Sequence, residues 1–223
     1  MPLEITPINL SGVNCYLLKG AAGYVLVDTG YSNKRAALDK RLNEAGCRPG
    51  DLKLVILTHG DSDHADNAAY LREKYGAKIA VHAADAEMIE RGDMSVGRKA
   101  KPDQMTLIFK ILSRVTLIFV KPAKFQVFKP DLLIDESTDL SAYGLEAKVV
   151  CLPGHSKGSI GVLTGGGDLF CGDFIYNFMG FNMIDNMPDH LASAEKVRKL
   201  NVKRLHPGHG KPVSFERFCK KYK

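Results

Sequence analysis

The amino-acid sequence predicts an α/β fold built in layers, and three observations carry that reading. Strand patterns alternate with helical ones through the first half, one strand, Leu54 to Leu57, is a compact apolar run of the kind buried on both faces, and the second half returns to closely spaced strands after an irregular basic stretch. At 223 residues the chain has room for one such domain, residues 1–223, and a domain of this size buries roughly 70% of its unfolded surface.

The first thirty residues read as three strands, Glu4 to Leu10, Val13 to Leu18 and Tyr24 to Val27, with Gly12 and the Gly20 to Gly23 stretch as turns between hairpin partners. Asp28-Thr29-Gly30 ends the third. Asn33 to Ala45 has helical spacing at Ala37, Leu38, Leu42 and Ala45 and stops at Gly46. Leu54-Val55-Ile56-Leu57 is a buried strand that leads into Thr58-His59-Gly60-Asp61-Ser62-Asp63-His64. A helix over Asn67 to Tyr75, a strand over Lys78 to Val81 and a helix over Ala83 to Arg91 follow. Strands then resume at Leu132 to Ile134, Leu145 to Leu152, Ser159 to Leu163 and Asp168 to Cys171. A helix at Leu191 to Leu200, a strand at Val202 to Leu205 and a helix at Ser214 to Tyr222 complete the chain.

Composition excludes more than it selects. With 45% hydrophobic and 25% charged residues the chain is ordinary for a globular protein. Its start, Met1-Pro2-Leu3-Glu4, has no basic and apolar leader, so a cytoplasmic protein is expected. Cys15, Cys47, Cys151, Cys171 and Cys219 are odd in number and form no Cys-x-x-Cys pair, which argues against a disulfide framework or a cysteine zinc site. The net charge of +6 is local: Arg91 to Pro130 holds nine Lys or Arg against two Asp, leaving the rest of the chain at −1. Within that stretch, Met105 to Val120 is amphipathic if helical, but Lys110 and Arg114 interrupt it, and no integral membrane segment is expected.

Chemistry gathers where strands end. His59, Asp61, Asp63 and His64 lie within six residues at the mouth of a buried strand, and imidazole and carboxylate are ligands for zinc, iron or manganese. The plain alternative is a polar loop whose Asp63 caps the helix that follows. Pro153-Gly154-His155, Cys171-Gly172-Asp173 and His206-Pro207-Gly208-His209-Gly210 each place a further ligand type just beyond a strand, so the clusters would converge on one edge of the sheets. Asp28 reads either as a turn former bonded to its own backbone or as a residue that orients the metal loop. His82 and His190 read as cap or surface residues, His206 as part of the turn that presents His209, and Cys151 and Cys171 as packing.

In order and setting these motifs resemble the metallo-β-lactamase superfamily, from Asn14-Cys15-Tyr16-Leu17 and Asp28-Thr29-Gly30 through the His-rich loop to Gly208-His209-Gly210. The resemblance implies a four-layer αββα sandwich with two divalent transition-metal ions at one edge, zinc in the first place, with manganese or iron accommodated. By the same carry-over His59, Asp61 and His155 would hold one ion and Asp63, His64 and His209 the other, with Asp173 bridging and Asp63 acting in catalysis. The chain departs from the family's His-x-His-x-Asp-His at Asp61, which replaces the second histidine. A carboxylate there adds charge and hardens the ligand set.

The function implied is metal-dependent hydrolysis of a small-molecule ester, thioester, lactone, amide or phosphoester by activated hydroxide. An iron-binding redox enzyme of the same fold and a catalytically silent metal-binding module are the alternatives. Nucleic acid is not the expected partner. Glutathione-thioester hydrolases of the family carry an added carboxy-terminal helical region, and only Ser214 to Lys223 stand in that place here. The basic stretch, residues 92–131, falls where family members carry inserts. It reads as a solvated surface helix, a substrate lid, a membrane-surface helix or a homodimer contact.

Overall fold

Alternation along the central strands decides the architecture. The computed structural model describes residues 3–106, 126–177 and 183–221. Within them β1 (Glu4–Asn9), β2 (Asn14–Gly20) and β3 (Gly23–Val27) form an antiparallel meander, and β4 (Leu52–Ile56), β5 (Lys78–Val81) and β7 (Leu132–Leu133) add in parallel, giving one six-stranded sheet in the order β1-β2-β3-β4-β5-β7. Strands β8 (Ala147–Cys151), β9 (Ile160–Thr164), β10 (Asp168–Asn177), β12 (Arg204–Gly210) and β13 (Val213–Ser214) form a second sheet in the order β13-β12-β10-β9-β8. A short ribbon pairs β6 (Gln104–Met105) with β11 (Met183–Ile184).

Side chains of one strand go to opposite faces, and both faces here are dry. Leu17, Leu26, Val55 and Leu57 pack outward against Leu38 and Leu42 of α1 (Arg35–Glu44), Ala68 and Leu71 of α3 (Ala68–Tyr75) and Ile89 of α4 (Ala83–Arg91). Their neighbours Leu18, Val25, Val27, Leu54 and Ile56 pack inward against Val149, Ile160, Val162 and Phe170 of the second sheet. Val150, Leu163, Leu169 and Cys171 then meet Ala194 and Val197 of α5 (Met187–Arg198) and Phe218 of α6 (Phe215–Lys221). Three apolar layers between four layers of structure make the αββα sandwich.

Boundaries differ from the sequence reading at two informative places. Helix α5 starts at Met187, four residues early, because the Asn186 side chain accepts the Asp189 N–H and a proline follows in the first turn. Strand β10 runs on to Asn177 because its ladder with β12 shifts register around Gly172, whose φ of 48° makes the bulge. The helical pattern of Met105 to Val120 lies outside the described residues save for its first two. Among the described residues, no helix is long and apolar enough to cross a membrane.

Candidate metal centre

Strand β4 delivers the chain at its carboxyl end to Leu57-Thr58-His59, and the short helix α2 (Ser62–Ala65) follows at once. Asp61 is its N-cap residue, with its carbonyl taking the first helical bonds from His64 and Ala65, while its side chain caps nothing and turns into the cluster. Asp63 lies in the first turn, so the alternative reading of Asp63 as the helix cap is set aside. His155 sits in the loop between β8 and β9. Asp173 and His209 lie inside the adjacent strands β10 and β12, not beyond them, because both strands continue through their glycines.

All seven residues named from the sequence come together. Nε2 of His59 and of His155 each lie 3.9 Å from Asp173 Oδ2. Nε2 of His64 lies 3.5 Å from Asp173 Oδ1, and that of His209 lies 3.4 Å from Oδ2. Asp63 Oδ2 is 3.1 Å from His209 Nε2 and 3.6 Å from His64 Nε2. Potential ligand atoms of His59, His155 and Asp173 all fall within 4.8 Å of one another, as do those of Asp63, His64 and His209. Asp61 Oδ2 sits at the edge of the first group, 3.0 Å from His155 Nε2 and 3.5 Å from that of His59. Gly208 makes the closeness possible, since a Cβ there would come 2.5 Å from His64 Cε1 and 2.6 Å from Asp173 Oδ1.

The donor set fits metal ions. Nε2 of His59 and His64 and Oδ1 of Asp173 are buried without a hydrogen-bond partner among the described residues, a costly state for polar atoms unless a cation completes it. The far side of each ring is held by the protein. His64 Nδ1 donates to Asp28 Oδ2 (2.9 Å), His155 Nδ1 to the Met183 carbonyl (2.9 Å) and His209 Nδ1 to the Gly12 carbonyl (2.9 Å). For His59 the partner is Thr58 Oγ1 at 3.0 Å. The single hydroxyl proton of Thr58 goes to the Asp28 carboxylate (2.9 Å), so Thr58 must accept from His59 Nδ1. In neutral form, all four imidazoles therefore present an Nε2 lone pair to the cluster. Asp28 is buried at a φ of 61°, sparsely used by residues other than glycine, and its carboxylate bonds Thr58 and His64 instead of its own turn.

Electrostatics match a cation site. Burial works against the charge on Asp173, but His209 and His64 hold its carboxyl well below the usual range. Burial likewise opposes charge on His209, yet Asp173 and Asp63 push it up to about 10. His64 is raised against burial by Asp28, Asp63 and Asp173. Protons on these two rings balance the carboxylates where a metal would.

Three contributors escaped the sequence reading. Tyr176, at the far end of β10, donates its hydroxyl to Asp173 Oδ2 (2.5 Å) and stacks on the His209 ring. Asp85 of α4, buried, accepts from Gly60 N–H (3.0 Å), Ser156 Oγ (2.6 Å) and Gly158 N–H (2.8 Å), tying the loop of His59 to the loop of His155. Arg98 of the basic stretch contacts Asp61. Neither Asp85 nor Arg98 falls in a motif; a buried acid in a helix's first turn looks like any solvated one until tertiary packing covers it. Among the other histidines, His82 is the cap it reads as, accepting from Ala84 N–H. His190 is neither cap nor surface: it is buried in α5 against Phe174, and burial lowers it to about 4. His206 belongs to β12 and pairs with Asp168 at 2.7 Å, so it is no turn residue. Cys171 packs in the outer core with its thiol donating to the His206 carbonyl, and burial pushes that thiol up.

Known proteins resemble the chain over most of its length. The acyl-coenzyme A thioesterase MBLAC2 of Bos taurus is 26% identical over 92% of this chain and 75% of its own length. The beta-lactamase-like protein 2 homolog of Caenorhabditis elegans is 22% identical over 92% of this chain, which spans only 58% of that relative. A metallo-beta-lactamase family protein of Thermus thermophilus superposes with a TM-score of 0.70 at 23% identity, over 99% of this chain and 78% of that structure, and shares the fold. The sequence profile of the metallo-beta-lactamase superfamily matches residues 8–209, and the chain belongs to that superfamily of metallohydrolases.

Proposed function

We propose that the chain is a binuclear metallohydrolase that cleaves acyl thioesters. The observation that carries the binuclear reading is Asp173, whose two carboxylate oxygens face both ligand groups at 3.4 to 3.9 Å. His59, Asp61 and His155 would hold one ion, Asp63, His64 and His209 the other, and Asp173 would serve both. Two cations so held would lower the pKa of water toward neutrality and polarise a carbonyl under attack. Zinc suits the imidazole-rich set, and the carboxylates also accommodate manganese or iron.

The protein's own groups supply position and proton handling. Asp63, the most exposed of the three carboxylates at 16% of its side chain against 12% for Asp61 and 4% for Asp173, would take the proton of the attacking water. Asp28, through Thr58 and His64, fixes ring orientation in both halves. The thioester class draws support from the name of the bovine relative and from the +7 charge between Arg91 and Pro130, which attracts an anionic acyl carrier.

The test is metal-stripped protein reloaded with zinc, manganese or iron and assayed on an acyl thioester, its oxygen ester, a lactone, a β-lactam and a phosphodiester. Metal-restored turnover fastest on the thioester is expected. A preparation active on another substrate and inert on thioesters would refute the substrate class and leave the metallohydrolase reading standing.

A further inference from the structure

Position 61 differs from the other carboxylates of the cluster in having a guanidinium partner, Arg98. Arg98 Nη2 lies 2.5 Å from Asp61 Oδ1, while Asp61 Oδ2 faces the two imidazoles, so the carboxylate is shared between guanidinium and metal site. The same guanidinium donates from Nη1 to the His155 carbonyl at 3.0 Å, and its Nη2 comes 3.4 Å from His155 Nε2. Both partners are nearly buried, with side chains 10% and 12% exposed. Arg98 is also held from behind: the Lys99 N–H donates to Asp185, β6 pairs with β11, and the Ser62 N–H of the metal loop donates to Met94 Sδ. Among the described residues, the ion pairs of Asp63 and Asp173 are with histidines alone, and Asp173 also accepts from the Tyr176 hydroxyl.

We propose that Arg98 is a specificity-determining residue of the metal centre: it neutralises Asp61, so the first half of the site binds its cation with one unit less negative charge than its ligands carry. This rests on the metallohydrolase reading above. The pair makes Asp61 a donor without making it an uncompensated anion, and the low dielectric around it magnifies the effect of one charge on a cation a few ångströms away. Preference for hard, strongly charge-dependent ions such as manganese over imidazole-seeking zinc is thereby held down in that half.

The test is a cycle of Arg98→Gln, Asp61→Asn and the double variant, with Arg98→Lys as the charge-preserving control. Each is stripped of metal and titrated with Mn2+ and Zn2+ against a chelator, and its melting temperature is recorded with and without metal. Arg98→Gln should tighten one of two Mn2+ binding steps by about tenfold or more and lower the melting temperature of the metal-free protein, a loss that metal reverses. Asp61→Asn should weaken that step and also lower the metal-free melting temperature, through a buried guanidinium left unpaired, a loss that metal does not reverse. The double variant should recover metal-free stability. Arg98→Lys loses the fork geometry but keeps the charge beside Asp61, and should bind Mn2+ within about threefold of the unmodified protein. An Arg98→Gln protein whose Mn2+ binding is unchanged or weaker, or an Arg98→Lys protein that behaves like Arg98→Gln, overturns the proposal. Two metals bound by the unmodified protein with such a result would refute Arg98 alone. No metal bound at all would refute the reading beneath it.

Discussion

The two halves of the centre use the same ring geometry and opposite electrostatics. In each, histidine Nδ1 is tied to the protein and Nε2 is turned inward. The half around Asp63, His64 and His209 meets its negative charge with protons on raised imidazoles. The half around His59, Asp61 and His155 meets it with a fixed guanidinium, and Arg98, against the cost of burial, holds the Asp61 carboxyl well below the usual range. One half can shed its compensating charge when a cation arrives; the other cannot. Equal ligand counts therefore need not mean equal affinity or equal metal preference.

The largest expected effect comes from the residue that both halves share. Asp173→Asn should reduce bound metal from two ions to one or none and lower turnover by a factor on the order of 10³ or more, since field and geometry fail together. Two retained metals would show that the halves do not depend on a common carboxylate. Asp63→Asn acts on one half only. It should lower turnover by a factor on the order of 10² while folding survives, as melting temperature and circular dichroism would record; full metal-dependent turnover would move the proton acceptor elsewhere. Asp28→Asn reaches both halves from behind, and should weaken both binding steps by about 10- to 100-fold. Weakening of one step alone would break the chain from Asp28 through Thr58 to His59.

Acidity separates the halves further. His209 stands near 10 in the metal-free fold against about 6.5 unfolded. Because the folded value is the higher one, its proton stabilises the metal-free fold fully below about pH 6.5, and that contribution is lost as pH rises through about 10. A metal held by His209 would displace the proton, so the melting temperature of the loaded protein should lack this decline, and affinity for the second ion should climb over the same window. A pH-independent difference between loaded and metal-free melting curves would remove His209 from the site. The smallest effect is a control outside both halves: His82→Ala deletes a helix cap, should cost about 1 kcal/mol and about 2–4 °C, and should leave metal content alone.

Periodicity made a layered α/β fold legible, and the four-layer sandwich came only with the family resemblance. Leu54-Val55-Ile56-Leu57 reads as a strand dry on both faces, and it is the strand whose alternate side chains fill two of the three cores. Ligand types at strand ends likewise made the seven candidate residues visible, and the fold gathers them. What stayed hidden is what depends on distant chain segments meeting. Arg98 lies in a stretch with no settled period, and its partner is 37 positions away. Asp85 looks like a helix's first-turn acid, and only the loops of His59 and His155 folding over it show its use. The continuation of β10 past Gly172 was hidden for a local reason: a glycine beside an acid reads as a turn, and here it is a bulge inside a strand that carries Asp173 and Tyr176 onward.

If two cation sites of different charge share Asp173, titration of metal-free protein with zinc, followed by native mass spectrometry and by competition with a chelator, resolves them. Two ions per chain are expected, bound in two resolvable steps, with the second ion lost first when pH is lowered. A single ion at saturation, or two ions bound in indistinguishable steps with the same pH dependence, would contradict that arrangement.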